Sequence, residues 1–235
     1  MPTVVFLSSK GGAGKSTAAL VLALGLARRN ERVAIVDADP NLPLYRWGAL
    51  PDKPTNVMVF GAASAEEVRD VRPFAETWAD WVIFDTEGSM RARNLVPVIE
   101  PDLALIPLGP SPLEALEAIR TARALKEMAG PERAPIPHAC VFTRLQAAIR
   151  PRSFSEAVRQ LKGEGIPIVE TPLIEKEAFR VMFSCGGGIE SLDPARVSGL
   201  EAARLNAEQY AESIYSMFHR VAAEAPAPST VAAAA

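Results

Sequence analysis

Cysteine and histidine are scarce in this 235-residue chain, two of each, and the scarcity excludes chemistries. Cys140 and Cys185 do not form a CxxC, and with His138 and His219 beside them no zinc or iron–sulfur ligand set assembles. Two isolated cysteines read as reduced structural thiols of a cytosolic protein, because free cysteine is among the most buried residue types. Charge of one sign is lacking too: 25 basic against 28 acidic residues give a net charge of −3. A chain so balanced is not coated for nucleic acid, so any polyanion site must be local. Long hydrophobic runs are also missing. The longest strongly apolar stretch, Ala18 to Ala27, is about half of the ~20 residues a bilayer requires, and no basic segment precedes a long apolar one at the N-terminus. Neither a membrane span nor a secretory signal is expected.

What is present is apolar material for a large core, 49% hydrophobic residues against 23% charged. Short β-branched runs alternate with segments of helical period. Thr3–Ser8, Val33–Asp37, Trp81–Asp85, Leu103–Pro107 and Ala139–Thr143 read as buried strands; Thr17–Arg29, Pro112–Met128 and Phe154–Lys162 read as helices. Such alternation predicts an α/β fold, a doubly wound, mostly parallel sheet with helices on both faces. Ser111 with Glu114, and Ser153 with Glu156, have the spacing of capping boxes. A last helix is expected from about Arg196 to Ala222, rich in Glu201, Glu208 and Glu212, which anionic lipid would repel. One domain over residues 1–224 and a disordered tail over 225–235 are the expected organisation.

The chemistry gathers in Ser8-Ser9-Lys10-Gly11-Gly12-Ala13-Gly14-Lys15-Ser16-Thr17, between a predicted strand and a predicted helix. Gly11, Gly12 and Gly14 permit torsions and close approaches that side chains block, so backbone N–H groups can face phosphate oxygens. Lys15 would meet the β and γ phosphates, Ser16 would offer a hydroxyl to Mg²⁺, and the helix near Thr17 would aim its positive end at the same anion. Asp39, in Asp37-Ala38-Asp39-Pro40-Asn41, and Asp85, closing the apolar run Trp81-Val82-Ile83-Phe84, are carboxylates at the carboxyl ends of predicted strands, where a doubly wound sheet places its ligand crevice. Asp85 has the layout of a Walker B acid in the metal shell. A helix N-cap or an Asx turn before Pro40 is the structural alternative for Asp39. Asn41 and Glu87 receive no role.

A standard phosphate loop has glycine six residues before its lysine; here that position is Ser9, and an extra lysine, Lys10, follows. KGGAGKST, with DADPN and the Asp85 strand, resembles the deviant Walker A ATPases of the ParA/MinD family, in its short form. The resemblance runs from Thr3 to about Asp193. It implies an ATPase with ATP and Mg²⁺ as cofactors, in which residues 10–17 and Asp85 bind the nucleotide. Ser16, Asp39 and Asp85 would serve the metal region, and Lys10, Lys15 and Asp39 the reaction, Lys10 by reaching the partner's nucleotide in an ATP-sandwich homodimer and Asp39 by positioning water. Phe142-Thr143-Arg144 and Glu170-Thr171-Pro172-Leu173 are similar to the family's adenine-contacting segments. The resemblance further implies a cytoplasmic protein, nucleoid-associated when ATP-bound, that positions a plasmid, chromosome region, relaxosome or protein cluster with a cargo adaptor or ParB-like stimulator and without a stable membrane anchor. Arg144, Arg150, Arg152, Arg159 and Lys162 stand against the single acid Glu156, and are the expected nonspecific DNA face. A dethiobiotin-synthetase-like ligase and a MinD-like membrane-associated ATPase are the alternatives.

Overall fold

The computed structural model describes residues 1–128, 135–146 and 152–224. Six strands, β1 (Thr3–Ser8), β2 (Val33–Ala38), β3 (Val57–Gly61), β4 (Trp81–Gly88), β5 (Leu103–Leu108) and β6 (His138–Phe142), form one sheet in the order β3-β2-β4-β1-β5-β6. Every neighbouring pair is parallel. β1, β2 and β5 are buried along their whole length, so their side chains must be apolar on both faces. Alternation then divides the core: Val4 and Phe6 of β1, with Trp81 and Ile83 of β4, enter one hydrophobic layer, while Val5, Leu7, Val82 and Phe84 enter the other.

The first layer is closed by α1 (Lys15–Arg28), α2 (Pro43–Gly48), α7 (Glu177–Cys185) and α8 (Leu200–Glu224). The second is closed by α3 (Ala65–Trp78), α4 (Val96–Ile99), α5 (Pro112–Met128) and α6 (Arg152–Gly163). The expected doubly wound sheet is thus the observed one. β3, α2, α3, α4 and α7 go beyond the elements expected from sequence. α1 also starts two residues early, at Lys15, so the amides of Lys15 and Ser16 belong to its first turn.

Neither expected capping box forms. Glu114 accepts from the Gly109 N–H instead of closing on Ser111, and Ser153 falls inside α6, where Glu156 pairs with Arg159. The expected tail, residues 225–235, lies outside the described residues.

α1 and α8 cross with glycine at the contact. A Cβ on Gly25 would stand 2.3 Å from the Ala211 Cβ, closer than any real contact allows. Gly25→Ala is therefore expected to destabilise the fold by about 1–3 kcal/mol, against the small gain alanine normally brings to a helix interior. Urea denaturation measures this; an unchanged midpoint would show that the two helices separate freely.

The two thiols differ sharply. Cys140 is buried in β6 and burial pushes its pKa up to about 12, whereas Cys185 is exposed at the end of α7.

Candidate nucleotide-binding site

The ligand crevice forms where the carboxyl ends of β1, β2 and β4 release their loops. Residues 11, 12 and 14–17 form one wall, Asp39, Pro40 and Asn41 a second, and Glu87 with Gly88 a third, around a cleft of about 610 Å³. Gly14 precedes α1 at φ 80, and its carbonyl accepts the first helical bond from the Ala18 N–H at 2.9 Å. Gly12 also has positive φ, at 74°. Glycine adopts both torsions at no steric cost, which is the local reason for the loop's composition.

Most of the expected site residues converge on this cleft. Gly11, Gly12, Gly14, Lys15, Ser16, Thr17 and Asp39 line it. Ala13 does not: it is buried, and its carbonyl turns away to the Thr143 hydroxyl at 2.7 Å. Lys10 does not either. It is exposed at the rim, held through its backbone by Ser8 Oγ, and its ammonium makes no ion pair among the described residues. Ser9, the residue in place of glycine, donates to Glu117 of α5 at 3.1 Å.

Lys15 is 6% exposed. Burial lowers its pKa, opposed by the carboxyl groups of Asp85, Asp39 and Glu87. Asp85 is fully buried, and neither of its carboxylate oxygens has a hydrogen-bond partner among the described residues. Burial raises its pKa to about 7; the nearby Ser16 hydroxyl and Lys15 lower it, while Asp37 and Asp39 raise it. Two orphaned, buried carboxylate oxygens beside a serine hydroxyl fit a magnesium ion, which takes oxygen ligands and needs one or two carboxylates when phosphates supply others.

The two carboxylates of the DADP segment divide their work. Asp37, fully buried, accepts from the N–H groups of Leu44 at 2.7 Å and Tyr45 at 2.9 Å, satisfying the first turn of α2. Asp39 forms the Asx turn anticipated as its structural alternative: Oδ1 accepts from Asn41 N at 2.8 Å and Asn41 Nδ2 at 3.0 Å. Among the described residues its Oδ2 makes no hydrogen bond or ion pair, and the residue lines the cleft. Asn41 thereby gains a role, fixing the Asp39 carboxylate. Leu42 follows at φ 48, a left-handed conformation costly for a branched residue and maintained by the Asp37 cap. Glu87, left unassigned by the sequence, is half-buried in the cleft wall and accepts from the Ser89 hydroxyl at 2.5 Å.

Three contributors were missed by sequence reasoning. Asp37 could have been flagged as an acid at an interior position of a wholly apolar strand. Gly88 approaches the loop so closely that a Cβ there would lie 2.5 Å from Gly11 Cα. Thr143 had been noticed only as part of an adenine-like segment.

The expected DNA face is less uniform than its sequence. Arg144 donates to both oxygens of Glu114 at 3.0 Å, Arg159 pairs with Glu156, and Arg150 lies outside the described residues. Arg152 and Lys162 are exposed on α6 without an ion pair among the described residues.

A glycine-rich loop joining β1 to α1 at the carboxyl edge of a parallel sheet, with a buried lysine and a Walker B carboxylate, defines a P-loop NTPase fold. The chain belongs to the ParA/MinD family of P-loop ATPases, and the VirC1 protein family matches residues 1–221. It is 34% identical over 218 residues to Protein ParA of Rhizobium radiobacter, covering 92% of this chain and 96% of that protein. To protein virC1 of the same organism it is 33% identical over 187 residues, covering 77% and 80% respectively. The septum site-determining protein MinD of Pyrococcus horikoshii, solved with Mg-ADP, superposes with a TM-score of 0.70 at 15% identity, covering 94% of this chain and 98% of that one. That identity supports the fold alone.

Proposed function

We propose that this protein is a positioning ATPase: it binds ATP, closes into a homodimer across the nucleotide, attaches to DNA without sequence preference in that state, and hydrolyses ATP slowly to ADP and phosphate. The observation that carries this reading is the division between its two loop lysines, Lys15 buried within the cleft and Lys10 exposed beside it without an ion pair among the described residues. The loop amides and Lys15 bind phosphates. Ser16 and Asp85 would hold Mg²⁺, with Asp39 facing the same region, and the ion would supply neutralising charge. Asp39, fixed by Asn41, orients water with its Oδ2, and Lys10 completes the partner's site. Turnover without a stimulating partner should fall in the range of about 10⁻⁴ to 10⁻² s⁻¹ found for water-positioning NTPases.

The cargo reading rests on the relatives. A protein resembling ParA and virC1 fits partition of a plasmid or chromosome region, or recruitment of a relaxosome, through an adaptor or ParB-like stimulator, in the cytoplasm and on the nucleoid when ATP-bound. Among the described residues no helix is long and apolar enough to cross a membrane. Glu208 and Glu212 of α8 are engaged by Arg28 and Arg29.

DNA attachment is the testable core. Arg152, Arg159 and Lys162 on α6 give each protomer about three phosphate contacts, and each neutralised phosphate adds about −0.9 to the slope of log K against log salt. Dimerisation should therefore double the slope. Fluorescence anisotropy on two unrelated duplexes over a salt series, with ATP and with ADP, is expected to show ATP-dependent binding of equal strength on both. Replacing the three residues with Glu should weaken it at least ten-fold on each duplex and flatten the slope. Wild type that does not bind DNA with ATP at low salt would overturn nucleoid attachment; a triple variant that binds equally well would move the surface elsewhere.

A further inference from the structure

Thr143 follows β6 but acts on the loop that follows β1. It is 1% exposed. Its N–H donates to the Leu108 carbonyl at 2.8 Å, and its Oγ lies 2.7 Å from the Ala13 carbonyl and 3.3 Å from the Leu108 carbonyl. A hydroxyl has one proton to give, and Leu108 already accepts from the backbone, so the shorter contact to Ala13 takes it.

The consequence comes from peptide planarity. In a trans peptide the C=O and the following N–H point in opposite directions, and no described peptide is cis. An Ala13 carbonyl drawn towards Thr143 therefore turns the Gly14 N–H away from Thr143, towards the cleft that Gly14 lines. The side chain also fills the space over Gly14, where a Cβ would stand 3.2 Å from its Oγ and 3.3 Å from its Cβ.

We propose that Thr143 is a positioning residue for phosphate: its hydroxyl, by tethering the Ala13 carbonyl, sets the Ala13–Gly14 peptide so that the Gly14 amide faces a bound phosphate. This rests on the nucleotide-binding reading and departs from the adenine contact that the family resemblance implies for the same segment. A residue touching the base would affect nucleotides alone; a residue that aims a loop amide affects any ligand of the phosphate subsite, including inorganic pyrophosphate.

The test is calorimetric titration of the full chain with Mg-ADP and with Mg-pyrophosphate. Thr143→Val, which removes the hydroxyl at nearly constant shape, is expected to weaken both ligands about three- to ten-fold, the range a single net hydrogen bond covers. Thr143→Ser should bind both as wild type does, and Thr143→Ala, which needs no room, should match Thr143→Val. Circular dichroism melts should move by a few degrees at most. Loss confined to ADP would place Thr143 at the base and overturn the proposal, as would unchanged binding of both ligands or failure of Ser to restore it. Wild type that binds neither ligand would overturn the nucleotide-binding reading itself, whereas wild-type binding that Lys15→Ala abolishes and Thr143→Val leaves intact would overturn the positioning role alone.

Discussion

Lys15→Ala should abolish nucleotide binding, while Lys10→Ala should bind ADP within about two-fold of wild type yet fail to dimerise with ATP. Lys15 is a buried cation among Asp85, Asp39 and Glu87, so its loss removes a charge-assisted phosphate contact and leaves three carboxyl groups facing an incoming polyanion. A Kd raised at least about 30-fold follows, since truncating one member of a buried charge pair costs about 2–5 kcal/mol. Lys10 is held in place by its backbone, through Ser8, and its exposed side chain makes no ion pair among the described residues. A cation supplied to a neighbour's transferring phosphate is worth about 10³- to 10⁵-fold in rate, so hydrolysis should fall by at least the lower figure. Titration with ADP, light scattering with ATP and a phosphate-release assay separate the two losses. ATP-dependent dimerisation and hydrolysis unchanged in Lys10→Ala would remove the cross-dimer role.

What sequence made legible depends on whether a signal is local. β1, β2 and β5 stood out because strands buried on both faces read as unbroken apolar runs. β3 did not, although Val57-Met58-Val59-Phe60 is apolar: it is an edge strand of five residues, one buried and four half-buried, and periodicity cannot tell so short a run from a helix segment. α3 went unread although Val68, Val71, Ala75 and Trp78 recur at three- and four-residue steps behind the Ser64 cap, because Pro73 in its interior argues against a helix. The phosphate loop was legible because glycine and lysine at fixed spacing answer a local demand. Asp39 lines the cleft at the end of β2, yet its Asx turn with Asn41 is visible only from the turn's geometry. Thr143 and Gly88 were hidden for a different reason. Each acts on a segment far away in sequence, Thr143 after β6 on Ala13 two strands away and Gly88 of β4 on Gly11 after the neighbouring β1, and no pattern within either segment encodes that closeness. The basic cluster shows the converse error: charges counted along the chain looked free, but Arg144 is engaged by Glu114, thirty positions upstream.

Asp85→Asn should stabilise the ligand-free protein at neutral pH while lowering hydrolysis about 10²-fold or more. The carboxyl is fully buried without a hydrogen-bond partner among the described residues, and its pKa rises from 3.8 to about 7. Asp37 contributes, standing opposite Asp85 in the register between β2 and β4. The sign follows from proton binding. Between about pH 4 and pH 7 the folded protein keeps a proton on Asp85 that the unfolded chain has released, so this group costs nothing below that window and its cost grows as pH rises through it. Some three pKa units correspond to about 4 kcal/mol as an upper bound, since water and backbone can relax around the charge. Asparagine keeps the shape and cannot ionise. Urea denaturation without Mg²⁺ or nucleotide should therefore show the variant matching wild type near pH 4.5 and exceeding it near pH 7.5, and comparing the two proteins cancels the opposite slopes of the other carboxylates. Adding Mg-ADP should reverse the ranking: ligand that binds the folded state stabilises it in proportion to the logarithm of its saturation, and the variant, having lost a metal ligand, should gain less. An Asp85→Asn protein less stable than wild type at pH 7.5 in the absence of Mg²⁺ would show that the buried carboxylate is already satisfied within the fold. One that hydrolyses ATP at the wild-type rate would remove Asp85 from the metal shell. Both results at once would make it a structural acid, and the orphaned oxygens at the end of β4 would no longer argue for an ion beside Ser16.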